Sequence, residues 1–245
     1  MIDMSALYGH KEYQNALDKF SHSPCRWNIF TDVQMKVSKK RCPICEYLFD
    51  ENAEIRREDK NGKNLLIPTV DHYRPKNQQF YPFLRCDHKN YLLMCFECNS
   101  SYKKSKFPLY GSTIRATNKN ELINEKPLIV NPIIDDVYAL FILVFKQTNS
   151  GKKILELKPK ESSGYLYEKA LETIKVFGLG NCEVYKHLDE NIHNCRIEVL
   201  VSHFGSFYNF AKIMSSPQKA LFKEKIKNSS GFLQFIAREQ FEIIE

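Results

Sequence analysis

Apolar and polar positions follow two different periods along this chain, and the switches between them mark its elements. Near the start, Tyr13, Leu17 and Phe20 recur at helical spacing, so the first forty residues read as helical. The stretch SHSPCRWNIF breaks that pattern with a proline and a turn. KKRCPICEYLF follows as a compact turn between two cysteines. The highly charged DENAEIRREDKNGKN ends on an Asn-Gly turn signal and reads as exposed. LLIPTVDHYRPK then reads as an apolar strand delivering Asp71 and His72 into a turn. At about residue 115 the composition shifts, and YALFILVFKQTNSGKKILELKP predicts two strands joined at a Ser-Gly turn. Beyond Ser162 the helical period returns. Tyr167, Leu171, Ile174 and Phe177 share one stripe, with Gly178 and Gly180 as stop signals. A second stripe joins Val184, Leu188, Ile192, Cys195 and Val199, and two more short helices are predicted in residues 215–244, with Pro217 near the start of the first. There is no internal repeat and no low-complexity segment. The pattern predicts an α+β fold, rich in helix, around a small irregular centre. It divides into an N-terminal helical arm (1–40), a chemical core (41–115) and a β-hairpin with a helical C-terminal region (116–245).

Composition narrows the class. The chain has 245 residues, 43% hydrophobic and 27% charged, enough to bury a core and too apolar for wholesale disorder. Its longest apolar stretch, VYALFILVF, is too short to span a bilayer as a helix. The first residues lack a basic start followed by an apolar run, so no secretory signal is read and a cytoplasmic protein is expected. In a reducing compartment, paired cysteines are more often metal ligands or redox groups than disulfides. The formal net charge is +7, and residues 71–119 hold nine Lys or Arg against three Asp or Glu. Almost the whole excess therefore sits in one fifth of the chain. A solvated basic face is the plain reading; a phosphate-binding surface is the sharper one.

Cys42-x-x-Cys45 and Cys95-x-x-Cys98 are two pairs with 49 residues between the inner cysteines. Each pair can present two thiolates to one tetrahedral ion, and together they complete a Cys₄ shell suited to structural zinc. A thioredoxin-like redox pair would open a helix after a strand in a βαβ unit, and nothing in the pattern predicts one. Cys25, Cys86, Cys182 and Cys195 have no partner at ligand spacing, although Cys86 lies close enough in sequence to sit near the metal. Between the cysteine pairs lie Asp71, His72 and Asn90, with Asn99 just after Cys98. Hydrolysis of a phosphodiester needs a base near neutral pKa, for which His is the default, and a positive charge at the leaving oxygen. A hard divalent cation on a carboxylate and a neutral oxygen supplies that charge. Asp71, His72 and Asn99 supply these parts, and Arg74, Lys76, Lys103, Lys104 and Lys106 are candidate contacts for flanking phosphates.

Asp-His, then Asn, then C-x-x-C-Asn resembles the HNH (ββα-metal) endonucleases at these residues. The resemblance implies two strands and a helix around one catalytic Mg²⁺ or Mn²⁺. It gives Asp71 and Asn99 the role of metal ligands, His72 that of the water-activating base, and Asn90 that of a loop brace. The four cysteines are similar to those of the zinc-knuckle version, whose zinc is structural. CPICE, VDHYRPK, CFECNSSYKKSKFPL, PLIVNPIIDD and KALETIKVFGLGN together resemble the HNH subunit of Septu-type and retron-associated anti-phage defence systems. That subunit, PtuB, works beside an ATPase, PtuA, and the likeness runs over residues 41–196. On this resemblance NPIIDD and the 167–180 helix are scaffold or partner surface. Two positions depart from the pattern. Tyr102 stands where many HNH proteins have lysine, with lysine following at 103, and Asn90-Tyr91 stands for Asn-Leu.

Competing expectations remain open. A zinc-stabilised nucleic-acid-binding or adapter module would bind without metal-dependent catalysis. A stand-alone restriction-type nuclease would need no neighbouring ATPase gene. Asp87-His88 repeats the composition of the site pair but lacks the following proline, and reads as a solvated loop. His187 and His193, six apart, do not share a helix face. Phe80, Tyr81 and Phe83 suit core packing better than base stacking.

Overall fold

The computed structural model describes residues 1–46, 49, 62, 67–147 and 153–179, with the backbone alone for 143–147 and 153–156. Helices and two small antiparallel sheets make a mixed α+β architecture. The predicted stripe at 184–199, the helices of 215–244, Cys182, Cys195, His187 and His193 lie outside the described residues, as does almost all of the charged stretch 50–64. Among the described residues, no helix is long and apolar enough to cross a membrane.

The arm is helical with one interruption. Helix α1 (Lys11–His22) starts at His10, whose ring accepts from the Glu12 amide at 3.2 Å, and buries Tyr13, Ala16 and Phe20. A 3₁₀ turn, Trp27–Phe30, leads into α2 (Thr31–Val37). The physical reason for the break lies in the intervening segment. Pro24 disfavours helix in the residue before it, and Cys25 adopts a left-handed φ of 70°. Lys36 on α2 reaches Glu12 on α1 at 2.5 Å, but both side chains are about half exposed, so packing of the apolar stripe does the holding.

The centre is a strand pair, β1 (Pro68–His72) and β2 (Tyr91–Cys95), in register from Pro68↔Cys95 to His72↔Tyr91. All five residues of β2 are buried, which matches its unbroken apolar run YLLMC, since a strand covered on both faces has no reason to alternate. Helix α2 covers it, and the buried Gln34 side chain accepts from the Leu93 amide at 2.7 Å. That bond gives a partner to a buried backbone donor beyond the strand ladder. From β2 the chain runs directly into a π-helical turn, Glu97–Lys103.

The second sheet is the predicted hairpin, β3 (Phe141–Gln147) with β4 (Lys153–Pro159), paired Phe141↔Pro159 through Gln147↔Lys153. One detail differs: residues 138–140, read as the start of the strand, belong to the short helix α3 (Val137–Leu140). Asp136 caps it, accepting from the amides of Tyr138 and Ala139 at 3.0 and 3.1 Å, which offers those donors helical partners. Helix α4 (Gly164–Phe177) stops at Gly178, in the left-handed region at φ +61°. A Cβ there would lie 2.5 Å from Cε1 of Tyr102, so the cap also lets α4 approach the π-helical turn. The PLIVNPIIDD segment lies against this helix. Thr173 Oγ1 takes the Val130 amide at 2.9 Å, and Lys169 pairs with Asp135 at 2.6 Å. The segment thus packs on α4.

Candidate functional site

The four cysteines of the two C-x-x-C pairs converge, although the loop between them is 49 residues long. Cys42 and Cys45 sit in a turn, Cys95 ends β2 and Cys98 lies in the first part of the π-helical turn. Their sulfurs all lie within 4.8 Å of one another, with Cys42 to Cys98 at 3.7 Å and Cys45 to Cys95 at 3.8 Å. A tetrahedron of thiolates about 2.3 Å from a zinc ion has edges of roughly 3.8 Å, so the spacing fits that ion without rearrangement. The amides of Cys95 and Cys98 point at Cys42 Sγ and Cys95 Sγ, both at 3.3 Å. Such donors favour thiolates in a dry site. The cluster can hold a metal ion such as zinc.

Next to it, β1 carries the polar site residues. Alternation puts Thr69 and Asp71 on one side of the strand and His72 on the other. The first side meets the π-helical turn. Asn99 Nδ2 donates to Thr69 Oγ1 at 3.1 Å, and Lys103 Nζ, four residues on, reaches Asp71 Oδ2 at 2.6 Å and the His72 carbonyl at 2.9 Å. The structure therefore brings Lys103 to Asp71, and Asn99 to Thr69 on the same side of the strand. Lys103 is completely buried, so it is the internal counter-charge of Asp71 and not a surface cation.

His72 faces the arm. Its Nε2 lies 2.9 Å from the Arg85 carbonyl, and its ring meets Tyr91 edge-on at 5.1 Å and Trp27 at 6.4 Å. A carbonyl only accepts, so Nε2 carries the proton and the lone pair of the neutral ring sits on Nδ1. Burial lowers the pKa of His72 below the ordinary imidazole value, and the positive charges of Lys76 and Lys103 push the same way against Asp71 and the carbonyl bond. The ring is neutral near pH 7, as a base must be.

Asn90 locks the segment after the strand. Its side chain accepts from the Arg74 amide at 2.8 Å and donates to the Arg74 carbonyl at 2.9 Å, while its carbonyl takes the Tyr73 amide at 2.7 Å. Arg74 points inward. Its guanidinium pairs with Glu125 and lies over the rings of Tyr81 and Phe107 at 5.2 and 5.1 Å. Glu125 also accepts from the Tyr81 hydroxyl at 2.9 Å and the Ala116 amide at 2.7 Å. Of the five basic residues read as phosphate contacts, Lys76, Lys104 and Lys106 are exposed; Arg74 and Lys103 are engaged inside. The physical reason is pairing, since a buried carboxylate needs a cation beside it. Glu125 and Gln34, which anchor this framework, carry no local signal that separates them from surface residues.

Two further readings are corrected. Cys25 and Cys86, read as lacking a partner at ligand spacing and given no role, form a disulfide across 61 residues, with Cα atoms 4.4 Å apart. It ties the segment before Trp27 to the turn whose Arg85 carbonyl holds His72. Asp87-His88 is not a solvated loop: His88 lies among Tyr13, Phe20 and Phe30, with Nδ1 2.8 Å from the Tyr13 hydroxyl. Tyr81 is fully buried, and Phe80 and Phe83 pack against the core.

With this geometry in place, comparison with known proteins gives one definite likeness. The chain is similar to the Septu protein PtuB of Bacillus mycoides (strain KBAB4). The two are 32% identical over 166 residues, 68% of this chain and 52% of that protein. The chain therefore spans about half the length of the curated PtuB it matches. No family model matches the chain.

Proposed function

We propose that this chain is a PtuB-type nuclease subunit of an anti-phage defence system, acting beside a PtuA-type ATPase, and that it hydrolyses nucleic-acid phosphodiesters as an HNH (ββα-metal) endonuclease. The defence role and the partner rest on the similarity to PtuB. The observation that carries the chemistry is the end of β1. Asp71 stands on one side, two residues along from Thr69, which Asn99 contacts, while a neutral, carbonyl-oriented His72 stands on the other. A phosphate lying across that strand end meets both sides, as in-line displacement requires.

His72 Nδ1 takes the proton of the attacking water, and the Arg85 carbonyl keeps the ring in the tautomer that leaves Nδ1 open. Asp71 and the Asn99 side-chain oxygen are the donors for a Mg²⁺ or Mn²⁺, which would stabilise charge on the leaving oxygen. They fit such an ion, since Mg²⁺ asks for only one or two protein carboxylates and fills its shell with water and phosphate oxygens. Lys103 holds Asp71 in place from below. Exposed Lys76, Lys104 and Lys106 receive the flanking phosphates.

The test is cleavage of plasmid DNA and of cellular RNA by the full chain with Mg²⁺, wild type against His72→Ala. Loss of cleavage in the variant is expected; undiminished cleavage overturns the assignment. A second reading draws on the Lys103–Asp71 pair, which satisfies the carboxylate without any metal. A zinc-stabilised binding module of that kind predicts metal-independent binding and full defence in Asp71→Ala.

A further inference from the structure

Trp27, the single tryptophan of the chain, belongs to neither the zinc cluster nor the hydrolytic set. It opens the 3₁₀ turn after the disulfide and remains 44% exposed, while its neighbour Phe30 is fully buried. Its ring stands 6.4 Å from that of His72, and exposed Lys76 sits over it, Nζ 5.0 Å from the centroid. An exposed indole alone needs no explanation. This one follows Cys25 of the Cys25–Cys86 disulfide by two residues, borders the His72 ring and lies under a cation. Indole faces take up bases, and lysines track phosphates.

We propose that Trp27 is a positioning residue on which an unpaired base stacks, with Lys76 moving from the ring onto the adjoining phosphate, so that the chain accepts single-stranded nucleic acid at His72. The proposal rests on the nuclease reading and adds the class of substrate. In a duplex the bases are already stacked on each other, so a fixed indole has no base face to cover. In a single strand every base offers one, whatever its identity, and the platform selects strandedness and not sequence. Lys76 keeps the ring occupied until a phosphate displaces its ammonium group.

Because Trp27 is the only tryptophan, its fluorescence reports the event directly. The full-length His72→Ala chain is titrated with 12-nucleotide oligothymidylate, with oligouridylate and with a 12-base-pair duplex, and binding is followed in parallel by anisotropy of a labelled strand. Quenching by one or both single strands, and not by the duplex, is expected. Trp27→Ala should weaken single-strand binding about tenfold, Trp27→Phe should restore most of it, and both should melt like the parent. Anisotropy binding without quenching, equal quenching by duplex, or unchanged affinity in Trp27→Ala overturns the platform. The two proposals separate cleanly. Cleavage by the wild type without quenching sinks the platform alone, and quenching without cleavage sinks the nuclease alone. Neither signal sinks both.

Discussion

The chain contains two Asp-His pairs sixteen positions apart, Asp71-His72 and Asp87-His88, and they have opposite fates. Burial lowers the pKa of both histidines. What differs is what surrounds them. Asp71 faces a buried lysine, and His72 is held by a backbone carbonyl beside an exposed indole and an exposed lysine. Asp87 caps its own 3₁₀ turn by accepting from the Lys89 amide at 3.0 Å, and His88 is stacked on Phe30 with its Nδ1 at the Tyr13 hydroxyl. One histidine is buried between a backbone carbonyl and two rings, with a cation nearby. The other has an aromatic wall. The same dipeptide ends one strand, where chemistry is proposed for it, and packs against aromatic rings before the start of the next.

The most drastic way to break the comparison is to remove what both pairs depend on. Cys95 ends β2, the strand that starts just after the His88 turn and carries Tyr91 against His72. Structural zinc contributes about 10–16 kcal/mol to small metal-folded units, comparable to the whole stability of a domain, about 5–15 kcal/mol. Cys95→Ser, or chelation, should therefore abolish the cooperative thermal transition and release zinc measurable by a colorimetric chelator. A full-height transition in the metal-free chain would show the cluster to be dispensable.

Next in size is the exchange of the two histidines. His72→Ala should lower cleavage per folded molecule by about 10²–10⁴-fold, with a stability cost from its lost carbonyl bond and ring contacts. His88→Ala should leave cleavage per folded molecule within a few-fold and cost about 1–3 kcal/mol of stability, through the lost hydroxyl bond and ring contacts. Denaturant unfolding alongside a cleavage assay reads both. The opposite pattern would reverse the roles of the pairs.

Much of this was legible from the chain. The hairpin of β3 and β4 and the stripe of α4 follow directly from period and turn residues. The Cys₄ cluster follows from two C-x-x-C pairs, because each pair is a local unit that needs only one partner. The disulfide was not legible. Cys25 and Cys86 share no spacing pattern, and only the packing of the arm on the strand pair brings them together. Lys103 and Arg74 were read as surface cations because charged side chains are seldom buried without a partner. Their partners, Asp71 and Glu125, lie 32 and 51 residues away. His88 misled for a related reason, since its aromatic walls come from helices of the arm.

A smaller effect separates the pairs by pH. In the folded chain His88 resists protonation, chiefly through burial and secondarily through the charges of Lys89 and Lys119, with Asp87 opposing. Below the ordinary imidazole pKa of about 6.5, the unfolded chain binds a proton that the folded chain refuses. Stability therefore falls as pH drops from about 6.5 toward the lowered folded value, and it is flat above. His72 adds a slope of the same sign. Urea unfolding across pH 5–8 should give a shallower acid slope in His88→Phe than in the wild type. An unchanged slope would mean that His88 titrates alike in both states.

The smallest expected effect tests whether charge or packing fixes the second pair. Asp87 reaches Lys119 at 2.7 Å, but the lysine side chain is 62% exposed. Water and salt screen such a pair, and exposed ion pairs contribute about 0.2–1 kcal/mol. Lys119→Met should thus shift the unfolding midpoint barely beyond error, and less still in high salt. Asp87→Ala should cost more, about 1 kcal/mol, because it also removes the cap on the Lys89 amide. That ordering makes the aspartate a capping residue whose ion pair is incidental. At Asp71 the order must invert: Lys103→Met leaves a largely buried carboxylate without its cation, a loss of about 3–5 kcal/mol. Similar costs for the two lysines would mean that the pairs are held alike, and that the buried charge at the end of β1 is not what sets the first apart.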